Sequence, residues 1–343
     1  MTKVLHIIPY DGVGGVESAA RSMGSGTQGD MEFEIDYIFK NVVPGKEGRT
    51  IFNPFPILLA ARRASRSDVD VVIVSLWRSA IVGLLAKLAR PKLKLVVFLH
   101  LPSAVHFGDY AFTRLTSLLA TEVWADSQAT LLGRVPSIRP EKCRVISFVT
   151  RRFDALPVRS VDPSFIFWGR INKQKRLDRA IRIFAGVRKL YPKAQFWVVG
   201  PDGGTLADTK DLCVSLGLQN AVIFMGAATL NEIAVYALNA SFYLQTSMYE
   251  GMAMSVVESM QLGLVPVVTP VGEISSYCIH CQNAVIVDTD EKAVADILNL
   301  IIANNSYQIM RSNGISTWQD RQLYRDSVLA ACEYLVQKVH EQY

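Results

Sequence analysis

The chain has 343 residues, enough for two domains that each bury a sizeable core, and half of its residues are hydrophobic. No apolar run approaches the ~20 residues that span a bilayer, and five scattered cysteines argue against a disulfide framework and for a reducing compartment. The net charge of +5 lies early, since residues 1–155 hold 20 Lys and Arg against 14 Asp and Glu; with no basic run interleaved with aromatics, nucleic acid is not expected as a partner.

Val4 to Ile8 reads as a buried strand that runs into the glycine turn Asp11-Gly12-Val13-Gly14-Gly15-Val16-Glu17 and then a helical pattern. With no small-residue cleavage site after an apolar core, this start reads as mature and cytoplasmic. The turn would let a phosphate approach the backbone at Gly14 and Gly15, but Glu17 stands where a dinucleotide fingerprint has its third glycine. A strand over Phe33 to Phe39 follows. Strand-helix units then recur at Val69 to Ser75 with Arg78 to Leu88, at Leu95 to His100 with a helix within Phe107 to Leu119, and at Glu122 to Ala125 with Ser127 to Leu132. This alternation predicts an α/β, doubly wound parallel sheet, and His100 ends its strand at the edge where such sheets bind ligands.

Arg151 to Pro163 loses the hydrophobic period and carries two prolines, so it reads as a linker between an N-terminal domain over 1–155 and a C-terminal domain over 156–319. The alternation restarts with strand Phe165 to Trp168, the basic loop Gly169 to Lys175 and a helix. It continues through strands Gln195 to Gly200, Val222 to Met225 and Ser241 to Leu244, with helices at about Gly204 to Leu216 and Leu230 to Leu238 between them. Asp68-Val69-Asp70 and Asp288-Thr289-Asp290 have D-x-D spacing but merely flank buried strands, and Cys278-Ile-His-Cys281 has no second pair to complete a structural zinc, so no metal is expected.

The second domain leads to Tyr249 to Pro270, where Glu250 and Glu258 bracket the small-residue turn Gly251-Met252-Ala253-Met254 and a helix that should stop at Gly263. The free amides and positive end of that helix suit an anion. Eight helical residues would set the carboxylates roughly 12 Å apart, too far to share a proton and about the span of a nucleotide-sugar.

This stretch resembles the E-x7-E signature of glycosyltransferase family 4 (group 1), retaining enzymes of GT-B fold, in which two Rossmann-like domains face a cleft. The resemblance implies that Glu250 contacts the hydroxyls of a donor sugar, that Glu258 holds the ribose diol, and that the amides of Gly251, Met252, Ala253 and Met254 take the phosphates. The family often has glycine at Ala253, a mild change unless a positive φ is required there. Three further segments match the family. The loop at Gly14 and Gly15 is similar to its GGxE start over the donor diphosphate, His100 to a histidine that approaches the donor sugar, and Arg170 with Lys175 to its paired diphosphate cations. The cations have a chemical rationale, because a departing nucleoside diphosphate is a trianion. The base is expected against Phe224 to Ala228. The catalytic set is thus His100, Arg170, Lys175 and Glu250, acting without metal or cofactor on a UDP- or GDP-linked sugar as substrate.

The end of the chain, Ser316 to Tyr343, reads as helical, and the family's habit places a last helix over about 320–343 on the first domain. For the acceptor, the resemblance implies a glycan or lipid-linked precursor of cell-surface polysaccharide or lipopolysaccharide. The basic residues Arg62, Arg63, Arg66, Lys87, Arg90, Lys92 and Lys94, with the aromatic and leucine-rich stretch from Phe107, suggest a peripheral protein on an anionic membrane at the inner face of the cell membrane. Two other readings use the same residues: a GT-B sugar-nucleotide epimerase, or a catalytically silent nucleotide-sugar-binding protein.

Overall fold

In the computed structural model, residues 1–12, 14–24, 26–40, 53–135 and 137–337 are described. Val13 of the glycine turn and residues 338–343 of the expected last helix lie outside them. The chain divides into two compact units, Met1–Arg151 with Gln322–Tyr343, and Arg152–Arg321.

The first unit runs β1 (Thr2–Tyr10), α1 (Gly15–Ser22), β2 (Gly26–Gln28), β3 (Met31–Phe39), α2 (Phe55–Ala64), β4 (Val71–Ser75), α3 (Trp77–Ala89), β5 (Lys94–Leu99), α4 (Phe107–Leu119), β6 (Glu122–Ala125), α5 (Gln128–Arg134) and β7 (Cys143–Val145). Its sheet has the order β2-β3-β1-β4-β5-β6-β7, parallel except for the β2 edge. Helices cover both faces of such a sheet, so central strands such as Val71-Val72-Ile73-Val74-Ser75 are buried throughout and read as continuous apolar runs.

The second unit runs β8 (Phe165–Trp168), α6 (Leu177–Arg188), β9 (Phe196–Val199), α7 (Leu206–Ser215), β10 (Val222–Gly226), α8 (Leu230–Ala237), β11 (Phe242–Gln245), α9 (Met254–Leu262), β12 (Val265–Val268), α10 (Ile274–Tyr277), β13 (Val285–Ile286), α11 (Asp290–Ile302) and α12 (Asn304–Gln319). Its strands are all parallel, in the order β10-β9-β8-β11-β12-β13. Phe165 anchors the core, with ring centroids 5.2 Å from Phe242 and 5.7 Å from Phe184.

The last stretch is two helices rather than one. α12 ends at Gln319, and α13 (Tyr324–Gln337) starts afresh and belongs to the first unit. Tyr324 donates its amide to Val149 O at 2.7 Å, and its ring packs on Phe98 and Phe148.

α4 inverts the usual arrangement. Asp109, Thr113, Thr116 and Ser117 face inward, while Phe107, Tyr110, Leu115, Leu118 and Leu119 face out, Phe107 being 82% exposed. Three of these four inward polar side chains are hydrogen-bonded, while the buried Ser117 hydroxyl has no partner. Asp109 pairs with the side chain of Arg134 and accepts from Thr113 Oγ1 at 3.0 Å, and Thr116 Oγ1 donates to Ala80 O at 3.0 Å.

Candidate active site

In each sheet the chain reverses its direction of growth at one pair of neighbouring strands, β8 and β11 in the second unit and β1 and β4 in the first. The crevice beyond the carboxyl ends of such a pair is where open α/β sheets bind ligands.

In the second unit, β8 ends into Gly169, Arg170 and the tight turn Lys173–Lys175, and β11 ends into the loop that carries Glu250 to α9. Lys175 Nζ lies 2.7 Å from Glu250 Oε1, and both side chains are largely buried. The same oxygen accepts from Gln245 Nε2 at 3.3 Å. Gln245 is in turn oriented by two donors to its Oε1, Tyr243 OH at 2.7 Å and Ser255 Oγ at 2.9 Å. Burial pushes the Tyr243 phenol well above its ordinary range, with the nearby Glu250 and Glu258 adding to the shift, so it stays a donor.

Glu258 is the fifth residue of α9 and is buried, with Oε2 accepting from the Trp168 indole Nε1 at 2.8 Å. The turn between the carboxylates is held from outside. Tyr277 OH donates to Met252 O at 2.8 Å, Glu273 N to Gly251 O at 3.1 Å, and Gln174 Nε2 to Tyr249 O at 2.8 Å.

Ala253, the N-cap of α9, sits at φ 57°, ψ 65°. This corrects the expectation of a mild change. The position does require left-handed backbone, and a non-glycine residue there costs ~1–2 kcal/mol. The Ala253 carbonyl accepts from Val256 N at 2.9 Å and Val257 N at 3.3 Å. The amides of Met254 and Ser255 belong to the first turn, where a helix supplies no acceptor, so they are placed to meet an anion.

Gly200 lets the ends of β8 and β9 close up, since a Cβ there would fall 1.9 Å from Gly169 O. Arg170 is exposed, its stem lying over Gly203. Ala228 lies two residues past β10, beside Thr229, which caps α8.

Gly14, Gly15 and His100 belong to the first unit. Gly14 caps α1, and the Glu17 carboxylate folds back over it, with Oε2 2.4 Å from where a Cβ would stand. His100 Nε2 is 3.0 Å from Ser75 Oγ, and the same hydroxyl is 2.9 Å from His6 Nε2. Burial lowers the pKa of His6 to about 4 and that of His100 to about 3, with the neighbouring His6 adding to the latter, so both rings are neutral near pH 7.

Sequence reasoning missed His6, Ser75, Trp168, Tyr243, Gln245 and Tyr277. A signal existed for two of them, since His6 and Gln245 interrupt or end the apolar buried runs Val4–Ile8 and Phe242–Gln245.

Four of the seven basic residues singled out in the first unit have partners within the chain, which leaves less free charge on its surface than the sequence suggests. Arg63 pairs with Asp36 at 2.6 Å and Arg66 with Asp68 at 3.1 Å, while Lys87 and Arg90 donate to main-chain carbonyls. Arg62 and Lys92 are exposed. The D-x-D carboxylates are tied locally. Asp70 accepts from Lys3 N at 2.9 Å, Asp288 pairs with Lys292 at 2.9 Å, and Asp290 pairs with Arg179 at 2.6 Å.

Residues 150–317 match the family described as Glycosyl transferases group 1. The alpha-monoglucosyldiacylglycerol synthase of Streptococcus pneumoniae is 30% identical over 108 residues, 32% of this chain and 24% of that protein. The GDP-mannose:cellobiosyl-diphosphopolyprenol alpha-mannosyltransferase of Xanthomonas campestris is 22% identical over 208 residues, 58% of this chain and 54% of that one. The matched stretches thus span from about a quarter to about half the length of these two relatives. Among solved structures, HepE of Anabaena in complex with UDP and glucose superposes with a TM-score of 0.79 at 18% identity, covering 98% of this chain and 100% of that one. The fold is therefore GT-B, and Arg170, Lys175, Glu250 and Glu258 all lie within the stretch, residues 150–317, that is similar to the group 1 glycosyl transferases.

Proposed function

We propose that the protein is a retaining, metal-independent glycosyltransferase that moves a sugar from a UDP- or GDP-linked donor to a glycan or lipid-linked acceptor. The observation that carries this reading is the buried Lys175–Glu250 pair, set at the strand switch beside the amides of α9. In this reading the α9 turn at Gly251–Met254 receives the diphosphate, Glu258 takes the ribose diol, and Glu250 takes donor sugar hydroxyls. Trp168 and Gln245 hold the two carboxylates in place. Lys175 and Arg170 stabilise the trianion that grows as the glycosidic bond breaks, the role a metal fills elsewhere. Ala228 borders the base. The acceptor hydroxyl attacks on the face from which the diphosphate leaves and gives its proton to the departing phosphate, which retains the anomeric configuration. Release of free nucleoside diphosphate that depends on an added acceptor tests this. Sugar-nucleotide interconversion without release points to an epimerase, and donor binding with neither points to a silent binding protein.

We propose further that the acceptor is lipid-linked, as in cell-surface polysaccharide or lipopolysaccharide synthesis, and that the first unit sits on an anionic membrane. The outward apolar face of α4 supports this, as does α2, where exposed Phe55, Leu58 and Leu59 precede exposed Arg62 on one face. No helix among the described residues is long and apolar enough to cross a membrane, so the attachment is peripheral in this reading. Co-sedimentation with anionic vesicles that falls as salt rises is expected. Absence of binding at low salt refutes it and leaves a soluble glycan as the acceptor.

A further inference from the structure

His6 lies in β1, in register with Ile73 of β4; Ser75 is one pleat further along β4, in register with Phe98 of β5; His100 follows the end of β5 by one residue. Alternation along a strand puts these three side chains on one face of three adjacent strands, stepping towards the carboxyl edge. The Ser75 hydroxyl is the link, at 2.9 Å from one ring and 3.0 Å from the other.

A hydroxyl has one proton. For both contacts to be hydrogen bonds it must donate to one imidazole and accept from the other, unless that proton is directed elsewhere and lost as a bond. A further observation points to the same three groups. Leu76, the next residue, has φ 70° and ψ 156°, a region almost reserved for glycine, and such strain persists only where the surroundings over-determine it. His100 Nδ1, the nitrogen not aimed at Ser75, is buried and has no protein partner. The rings of Phe98 and Phe148 lie 4.4 and 5.4 Å from His100, and Tyr324 of α13 stacks on Phe98, which dries the site.

We infer that His6, Ser75 and His100 form a neutral hydrogen-bond relay in which His6 is a positioning residue. Through the Ser75 hydroxyl it fixes the ring of His100 and determines which of its nitrogens carries the proton. The two rings hold opposite tautomers, one with Nε2–H donating to the oxygen and the other with bare Nε2 accepting from the hydroxyl. No charge forms. Passing a proton along Nε2–Oγ–Nε2 alone would leave one ring anionic and the other cationic, so the two tautomers are held fixed rather than exchanged. In the transferase reading, on which only this functional use rests, His100 thereby meets a sugar hydroxyl as a neutral partner rather than as a general acid.

The test is 15N NMR of the full chain labelled only in histidine, of which there are five, since the ring nitrogen shifts report the tautomer directly. Expected are opposite tautomers at His6 and His100 in the wild type, loss of that opposition in Ser75→Ala, and its retention in Ser75→Thr, which keeps the hydroxyl. Should Ser75→Ala fail to fold, His6→Gln is read instead, with a changed His100 tautomer expected. The same tautomer at both rings, or a His100 tautomer indifferent to both variants, overturns the relay. Donor turnover is a parallel readout, with His6→Gln expected to lower kcat about fivefold, the weight of one ordinary hydrogen bond, at unchanged KM. Because the spectrum needs no substrate, failure of the relay and failure of the transferase reading are distinguishable.

Discussion

Holding two neutral histidines together in one dry site should make the protein acid-sensitive well above the range in which carboxylates titrate. In the unfolded chain His6 and His100 protonate near the ordinary value of 6.5; in the native state they resist down to about 4 and about 3. Below pH 6.5 the unfolded state therefore binds more protons than the native state, and stability falls as pH falls. The slope approaches ~1.4 kcal/mol per pH unit for each ring. At pH 5 this amounts to roughly 2 kcal/mol each, about 4 kcal/mol together, with the half-buried His100 contributing at most its share. The loss continues until native His6 protonates near pH 4. Above pH 6.5 both states are neutral at these sites, and the term vanishes. The assay is urea unfolding of wild type, His6→Gln and His100→Gln at pH 7.5 and pH 5. The differences between proteins cancel every titration they share. Each substitution changes stability at pH 7.5 by its own packing cost, but each should remove about 2 kcal/mol of the wild-type loss between pH 7.5 and pH 5. Parallel pH profiles in all three proteins would refute the reasoning.

In the second unit, Glu258→Ala should weaken nucleoside diphosphate binding itself, whereas Glu250→Ala should spare it and lower turnover of the sugar donor; equal losses of nucleoside diphosphate affinity in both would sink the assignment. Lys175→Ala leaves Glu250 without its cation and should cost ~2–4 kcal/mol of stability, while exposed Arg170→Ala stays within about 0.5 kcal/mol; comparable melting shifts would contradict the ion pair. Both variants should lower kcat more than they raise KM, and turnover should persist in EDTA, with full dependence on added Mg2+ or Mn2+ reopening the D-x-D segments. Gly200→Ala should cost about 2–4 kcal/mol, because its Cβ would overlap Gly169 O and its φ of 148° suits glycine; a neutral melting temperature would show that the two strand ends do not meet so closely.

What was legible in the sequence follows from the range of the interaction that sets it. β8, β6 and the stop of α9 at Gly263 are written locally, in Phe165–Trp168, in Glu122–Ala125 and in a glycine at φ 79°, and each could be read from a few neighbours. Glu250 and Glu258 were legible for the same reason, since their spacing in sequence is a local fact, although Glu250 stands on the loop before α9 rather than on the helix. Their supports were not. Trp168 reaches Glu258 across 90 residues, and Lys175 reaches Glu250 across 75, so only the β8–β11 adjacency makes them neighbours. The φ of Ala253 was equally hidden, because alanine prefers other backbone and the turn is imposed by Tyr277 and Glu273 from the far side.

α4 shows why an apolar pattern alone does not decide between core and surface when the partner of a face is unknown. Phe107, Tyr110, Phe112, Leu115, Leu118 and Leu119 cover enough of the helix that burying them is the default expectation. Yet what the neighbouring helix and Arg134 offer is polar: the Ala80 carbonyl and a guanidinium that must be neutralised. Asp109 and Thr116 answer these groups. Turning the leucines inward would strand both, at a cost of ~1–3 kcal/mol for a neutral group and more for a charge. That asymmetry decides the orientation. It also means that the exposed face was not left over from packing, because the helix gives its inward side to polar residues and keeps its apolar side available. Substituting Leu115 and Leu118 by Gln should therefore leave unfolding free energy within about 1 kcal/mol of wild type while removing vesicle binding, a separation that a core helix could not show.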